Sequence, residues 1–222
     1  MLPVKVCGIT RLEDALLAAD LGAAAIGFVF YPKSPRCLNV AAAQRIGGKL
    51  PETVARVGVF VNPDLAMLRR TAETAQLTHV QLCGEETPQL CQDSPLPVIK
   101  VVRAAADFST ENWASFPAAA LLVDGGKPGE YGGTGMKSDW QFCRRLRDTA
   151  ITVLAGGLSA ENVAAAVRAA QPDAVDISSS LESAYGRKDG QKMHAFFTAM
   201  KTVPGQHSRL RQGFWSLASE QP

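Results

Sequence analysis

The chain holds 222 residues, 46% hydrophobic and 20% charged, with a net charge of +2. That length suffices for one well-packed core, and a balance so close to neutral offers no basic surface for nucleic acid or anionic lipid. No charged leader precedes an apolar run at the N-terminus, and no apolar stretch reaches bilayer-spanning length, so neither export nor membrane insertion is expected.

Strand-like apolar runs recur along the chain at Val4–Ile9, Ala24–Phe30, Arg56–Val61, His79–Cys83, Val98–Arg103, Ala119–Asp124, Thr152–Gly156 and Ala174–Ser178. Segments of helical periodicity separate most of them. Leu12–Leu21 stops at Gly22, a C-cap choice, and Val40–Leu50 stops before Pro51. Asn62-Pro63 opens Asp64–Gln76, with proline suited to a first helical turn. Glu86–Gln92, Ser138–Arg147, Ser159–Ala170 and Gln191–Thr202 follow, while the fifth crossover, Ala104–Pro117, is only weakly helical. Eight strands alternating with helices at this spacing give an α/β fold, the single-domain (β/α)8 TIM barrel, over residues 1–203. An open doubly wound sheet is the runner-up, but its Gly-x-Gly-x-x-Gly after the first strand is absent. Residues 204–222 form a polar tail whose Phe214-Trp215 pair either docks on the barrel or stays disordered with the rest.

Five scattered cysteines (Cys7, Cys37, Cys83, Cys91 and Cys143) include no Cys-x-x-Cys spacing and read as reduced thiols of a cytoplasmic protein, not a disulfide frame or zinc site. Three histidines without a helical pair argue against metal catalysis. In a barrel of this kind chemistry sits at the C-terminal strand ends. Cys7 ends the first strand, with Lys5 on the same face, where a cation favours a thiolate; the plain alternative is a small apolar wall residue. Gln81 and Cys83 end strand four, and Asp124 ends strand six. A carboxyl at that tip, sheltered by a lid, is suited to donating a proton. The glycine-rich run Gly125–Gly135, with Gly133 within it, is either a slack connector or a lid with phosphate-facing amides. Gly156-Gly157 allow close backbone approach, Ser159 is placed to cap the next helix, and Ser178-Ser179-Ser180 add hydroxyls and amides from the adjacent strand. Together they outline the anion site that such barrels build after strands seven and eight. Strands one and eight adjoin in a closed barrel, so Lys5 and Asp176 are expected to pair inside it.

These pieces in this order resemble the phosphoribosylanthranilate isomerase family of tryptophan biosynthesis. The resemblance rests on Lys5-Val6-Cys7-Gly8-Ile9-Thr10, Gly27-Phe28-Val29-Phe30 with Ser34-Pro35-Arg36, Val57–Asn62 and Val80-Gln81-Leu82. It continues through Leu122-Val123-Asp124, Gly132-Gly133-Thr134-Gly135, Leu154–Leu158 and Val175–Ser179. It implies an Amadori rearrangement of N-(5-phosphoribosyl)anthranilate with Asp124 as general acid and Cys7 as general base. It further implies that Arg36 holds the anthranilate carboxylate and that no metal or organic cofactor is required. Gln81, Lys5 and Asp176 complete the expected substrate site; Gly133, Gly156, Gly157, Ser178, Ser179 and Ser180 complete the phosphate site. The partner is then a small phosphoribosyl substrate, with the protein a monomer or homodimer. Two departures stand out: the family usually has His at Cys83 and Gly at Ser180. If position 180 needs a positive φ, serine there is strained. The alternatives are another phosphosugar isomerase barrel, such as the histidine-pathway enzyme, or a non-catalytic barrel that binds a phosphorylated ligand.

Overall fold

Each apolar run named above becomes a strand buried on both faces, as a parallel barrel lined inside by side chains and covered outside by helices requires. The structure, a computed structural model, describes residues 1–103, 116–125 and 138–203, together with Trp215. The strands are β1 (Val4–Cys7), β2 (Ala25–Val29), β3 (Ala55–Phe60), β4 (His79–Leu82), β5 (Val98–Val102), β6 (Ala120–Val123), β7 (Thr152–Leu154) and β8 (Ala174–Ile177). They pair in chain order, all parallel, and β8 returns to β1, closing the barrel. Among the described residues seven helices pack around it: α1 (Leu12–Asp20), α2 (Val40–Gly47), α3 (Leu65–Thr74), α4 (Pro88–Gln92), α5 (Trp140–Leu146), α6 (Val163–Ala170) and α7 (Gly190–Lys201). A short antiparallel hairpin, β9 (Glu182–Ala184) with β10 (Arg187–Lys188), lies between β8 and α7. Most of the fifth crossover, 104–115, and the glycine-rich segment 126–137 with Gly133 lie outside the described residues.

Alternation sorts the core into two parts. Val4 and Val6 of β1 join the layer between barrel and helices, whereas Cys7 joins the cluster inside the barrel. The lower interior is lined by small side chains, Ala25, Ala55, Ala120 and Ala174, each opening its strand. Trp215 belongs to the same cluster, is 6% exposed, and sets its ring 5.5 Å from that of His79, the first residue of β4. The indole therefore sits at the amino-terminal foot of the barrel, opposite the strand ends.

Helix starts differ from expectation where a side chain captures a backbone amide. Asp64 caps α3 by accepting from the Met67 amide, so Pro63 falls before the helix and not in its first turn. Ser159 is not the cap of α6: Asn162 takes that place, and its Oδ1 reaches back to accept from the Ser159 amide at 2.9 Å. Near the mouth, the Lys100 ammonium donates to Leu82 O, Gly84 O and Glu86 Oε2 at 3.3, 2.7 and 2.8 Å. Glu86 Oε1 in turn accepts from the Asn62 and Gly84 amides. This buried network ties the loops after β3 and β4 to β5, giving one side of the mouth a fixed rim.

Candidate active site

The C-terminal strand ends enclose a cavity, open to solvent, into which Cys7, Arg36, Gln81, Cys83, Asp124 and Asp176 all project surface. Gly156, Gly157 and Ser178 to Ser180 form its opposite wall. Every expected site residue among the described ones meets there except Lys5, which is fully buried behind Asp176.

The parallel register places Lys5 against Asp176, and their side chains form an ion pair of 2.8 Å inside the barrel. Burial opposes the Lys5 charge, but the Asp176 carboxylate and the Cys7 sulfur together more than offset it and hold the pKa above its ordinary value. Burial likewise pushes the Cys7 thiol upward, with Lys5 pulling the other way. The sulfur has its position because β2 offers a glycine opposite it. A Cβ on Gly27 would lie 2.8 Å from Cys7 Sγ, closer than real contacts allow, and a tight 3.1 Å from Lys5 Nζ. Across the mouth, Asp124 is partly buried, and desolvation, aided by the Asp176 charge, raises its pKa to about 6. Arg103 and the Gly125 amide work against that rise. The two groups thus differ in kind: one carboxyl keeps its proton close to neutrality, and one thiol surrenders its proton reluctantly.

The far wall is shaped by backbone. Gly156 and Gly157 adopt φ of +80 and +63, a pair of left-handed residues that side chains would strain. Asn162 fastens this turn from below by donating to Gly157 O at 2.7 Å. Ser178 donates its hydroxyl to Cys7 O at 3.1 Å, joining β8 to β1. Ser179 to Leu181 form one 3-10 turn, and Ser180 does not have a positive φ. The strain considered for Ser at this position is therefore absent; its hydroxyl instead bonds Leu158 O and links the two loops. Gln81 donates to Cys83 Sγ at 3.5 Å, while its Oε1 is buried without a donor among the described residues.

Arg36 lies across the mouth with Nε and Nη2 donating to the two oxygens of Glu182, each at 2.7 Å. Lys188 Nζ reaches the same carboxylate at 3.0 Å. Sequence reasoning missed Glu182 and Lys188. The signal available was small: two opposite charges six residues apart around Gly186, whose φ of +72 makes the hairpin turn. All five cysteines are free thiols, and among the described residues no group of acidic, His or Cys side chains is placed to hold a metal. Among the described residues no helix is long and apolar enough to cross a membrane.

Comparison with known proteins bears on what this cavity is for. The sequence model of the family described as N-(5'phosphoribosyl)anthranilate (PRA) isomerase matches residues 4–199. An N-(5'-phosphoribosyl)anthranilate isomerase of Pelobacter propionicus is 43% identical over 94% of this chain and all of its own length. That of Rubrobacter xylanophilus is 45% identical over 91% of this chain and all of its own. The crystal structure of the phosphoribosyl anthranilate isomerase from Thermotoga maritima superposes with a TM-score of 0.83 at 42% identity, covering 90% of this chain and 99% of that one. A phosphoribosyl anthranilate isomerase solved in complex with reduced 1-(o-carboxyphenylamino)-1-deoxyribulose 5-phosphate superposes at 0.80 with 39% identity, over 90% of this chain and 99% of that one. With a match across nearly the whole barrel, this chain belongs to the N-(5'-phosphoribosyl)anthranilate isomerase family of tryptophan biosynthesis.

Proposed function

We propose that this cavity performs the family's aldose–ketose rearrangement with Asp124 as acid, Cys7 as base and no cofactor. The carrying observation is that one carboxyl of raised pKa and one thiol, from different strands, line a single cavity beside a glycine-shaped wall. Asp124 protonates the furanose ring oxygen as the C1–O bond breaks and the anilino nitrogen lone pair forms C1=N⁺. The cationic nitrogen acidifies the C2 proton, which Cys7 removes; the C2–H electrons form C1=C2 and neutralise the nitrogen. The enolamine then takes a proton at C1 while its C2 hydroxyl gives one up, and the O–H electrons form the C2=O of the aminoketone. Each proton transfer contributes about 10²–10⁴-fold when donor and acceptor are held in place. The electron sink is the substrate's own nitrogen, so the chain's residues need only move protons and hold two anions.

Arg36 is assigned the anthranilate carboxylate, for which a guanidinium fork is suited. Gly156, Gly157 and Ser178 to Ser180 are assigned the phosphate; Gly133, assigned to the same site, lies outside the described residues. Gln81 completes the ring pocket; Asp176 and Lys5 set the charge beneath Cys7. The protein is assigned to the cytoplasm, as a monomer or homodimer whose barrel is residues 1–203.

The deciding assay follows loss of N-(5-phosphoribosyl)anthranilate fluorescence with purified protein. Turnover is expected; binding of a reduced product analogue without turnover would instead indicate a non-catalytic barrel. Arg36→Met is expected to raise KM with kcat nearly unchanged, and an unaltered KM would remove Arg36 from the carboxylate site. Ser180→Gly, which deletes the hydroxyl bond to Leu158 O, is expected to weaken inhibition by inorganic phosphate roughly fivefold, the worth of about 1 kcal/mol for one net hydrogen bond. Tighter inhibition would show that the hydroxyl is no part of the loop framework.

A further inference from the structure

Arg36 sits in the loop between β2 and α2, yet it is only 5% exposed. A long cation reaches such burial when the surroundings are shaped for it. Gly8, with φ +73, lies under its stem: a Cβ there would fall 2.6 Å from Arg36 Cδ. The Tyr185 ring lies 5.3 Å from the guanidinium carbon. Glu182 takes the Nε and Nη2 hydrogens in a side-on bidentate pair. Nη1 and the outer hydrogen of Nη2, the end-on edge of the fork, remain for a second acceptor. Glu182 is itself held: Lys188 Nζ donates to it at 3.0 Å and to Ser178 O at 3.1 Å, and the Lys188 amide donates to Asp14 at 3.0 Å. Two side-chain cations therefore share one carboxylate, so Glu182 does not neutralise Arg36 outright.

We propose that Glu182 is a positioning residue for the substrate's aromatic carboxylate: it pins the side-on edge of Arg36 and thereby presents the end-on edge to the cavity. The hairpin β9–β10 is then the frame of that clamp, and Lys188 fastens the frame to the Ser178 turn on the phosphate side. The gain is preorganisation, since a guanidinium already fixed loses less freedom when the ligand arrives. The opposite possibility is that Glu182 competes with the substrate for Arg36, in which case removing it lowers KM. This inference rests on the assignment of Arg36 made above.

The test is steady-state kinetics with N-(5-phosphoribosyl)anthranilate on wild type, Glu182→Gln, Arg36→Met and the double variant. Glu182→Gln is expected to raise KM roughly tenfold, the scale of one charge-assisted hydrogen bond, while kcat stays within about threefold. In the Arg36→Met background the same change is expected to add less than about twofold. An equal factor in both backgrounds overturns the proposal, because a general structural defect acts whether or not Arg36 is present. An unchanged or lowered KM overturns it as well. If Glu182→Gln loses its cooperative thermal transition, Glu182→Asp replaces it: the charge stays but withdraws by one methylene. A smaller KM rise, again absent without Arg36, is then expected. Absence of wild-type turnover, or an unaltered KM in Arg36→Met, removes the underlying reading; normal values there with an uncoupled Glu182 remove this inference alone.

Discussion

Replacing Cys7 with serine is expected to lower kcat by roughly 10²-fold or more, equivalent to about 2.7 kcal/mol in the barrier, while the fold persists. The smaller hydroxyl fits wherever the sulfur fits, including beside Gly27, so packing gives no reason for collapse. The loss is chemical. Burial raises the Cys7 pKa, yet Lys5 stands close enough to draw the thiolate out, and a base of raised pKa removes a carbon-bound proton with more driving force once formed. A hydroxyl is far less acidic than a thiol, and even a neighbouring ammonium does not make it a useful fraction ionised. The measurement is kcat alongside circular dichroism and a melting curve; near-normal kcat in a folded variant would dismiss Cys7 as the base.

Asp124→Asn is expected to cost a similar factor in kcat and, unlike Cys7→Ser, to reshape the pH profile. The acid must carry its proton and the base must not, but the Asp124 pKa of about 6 lies below that of a thiol raised from its ordinary value. The active pairing is thus a minority state at every pH. Below about pH 6 Asp124 is already protonated, so each further drop only removes thiolate and the rate falls. Above that point thiolate gained is offset by acid lost, and the rate is flat until Cys7 itself titrates, whereupon it falls again. The acidic limb therefore reports Asp124. With asparagine there, no limb near 6 remains, and the residual rate climbs with pH until Cys7 has ionised. A limb that stays near 6 in the variant would assign that titration to another group.

How far the sequence carried these arguments depends on the kind of residue. The eight strands were legible because apolar runs such as Ala24–Phe30 alternate with segments of helical periodicity, and eight such units at this spacing favour a closed barrel over an open sheet. Cys7, Asp124 and the Gly156-Gly157 turn were legible because strand ends locate chemistry in this architecture and glycine pairs mark left-handed backbone. The Arg36–Glu182–Lys188 cluster was not legible. A charged residue reads as exposed until its partner is known, and Glu182 lies 146 positions from Arg36. Helix starts shifted for a similar reason: whether Ser159 or Asn162 caps α6 depends on which side chain folds back, a matter of geometry and not residue type. Position 180 reversed its meaning, since strain was inferred from a missing glycine and the backbone there turned out not to need one.

The foot of the barrel carries one more lesson. Its floor is paved with alanines, and the indole buried in the same cluster arrives from beyond residue 199, where the family match ends. Load-carrying volume and reaction chemistry are thereby assigned to opposite poles of the same cylinder. Removing that indole, as in Trp215→Ala, would disturb the foundation while leaving the roof intact, showing itself as a lower melting point at an unaltered rate.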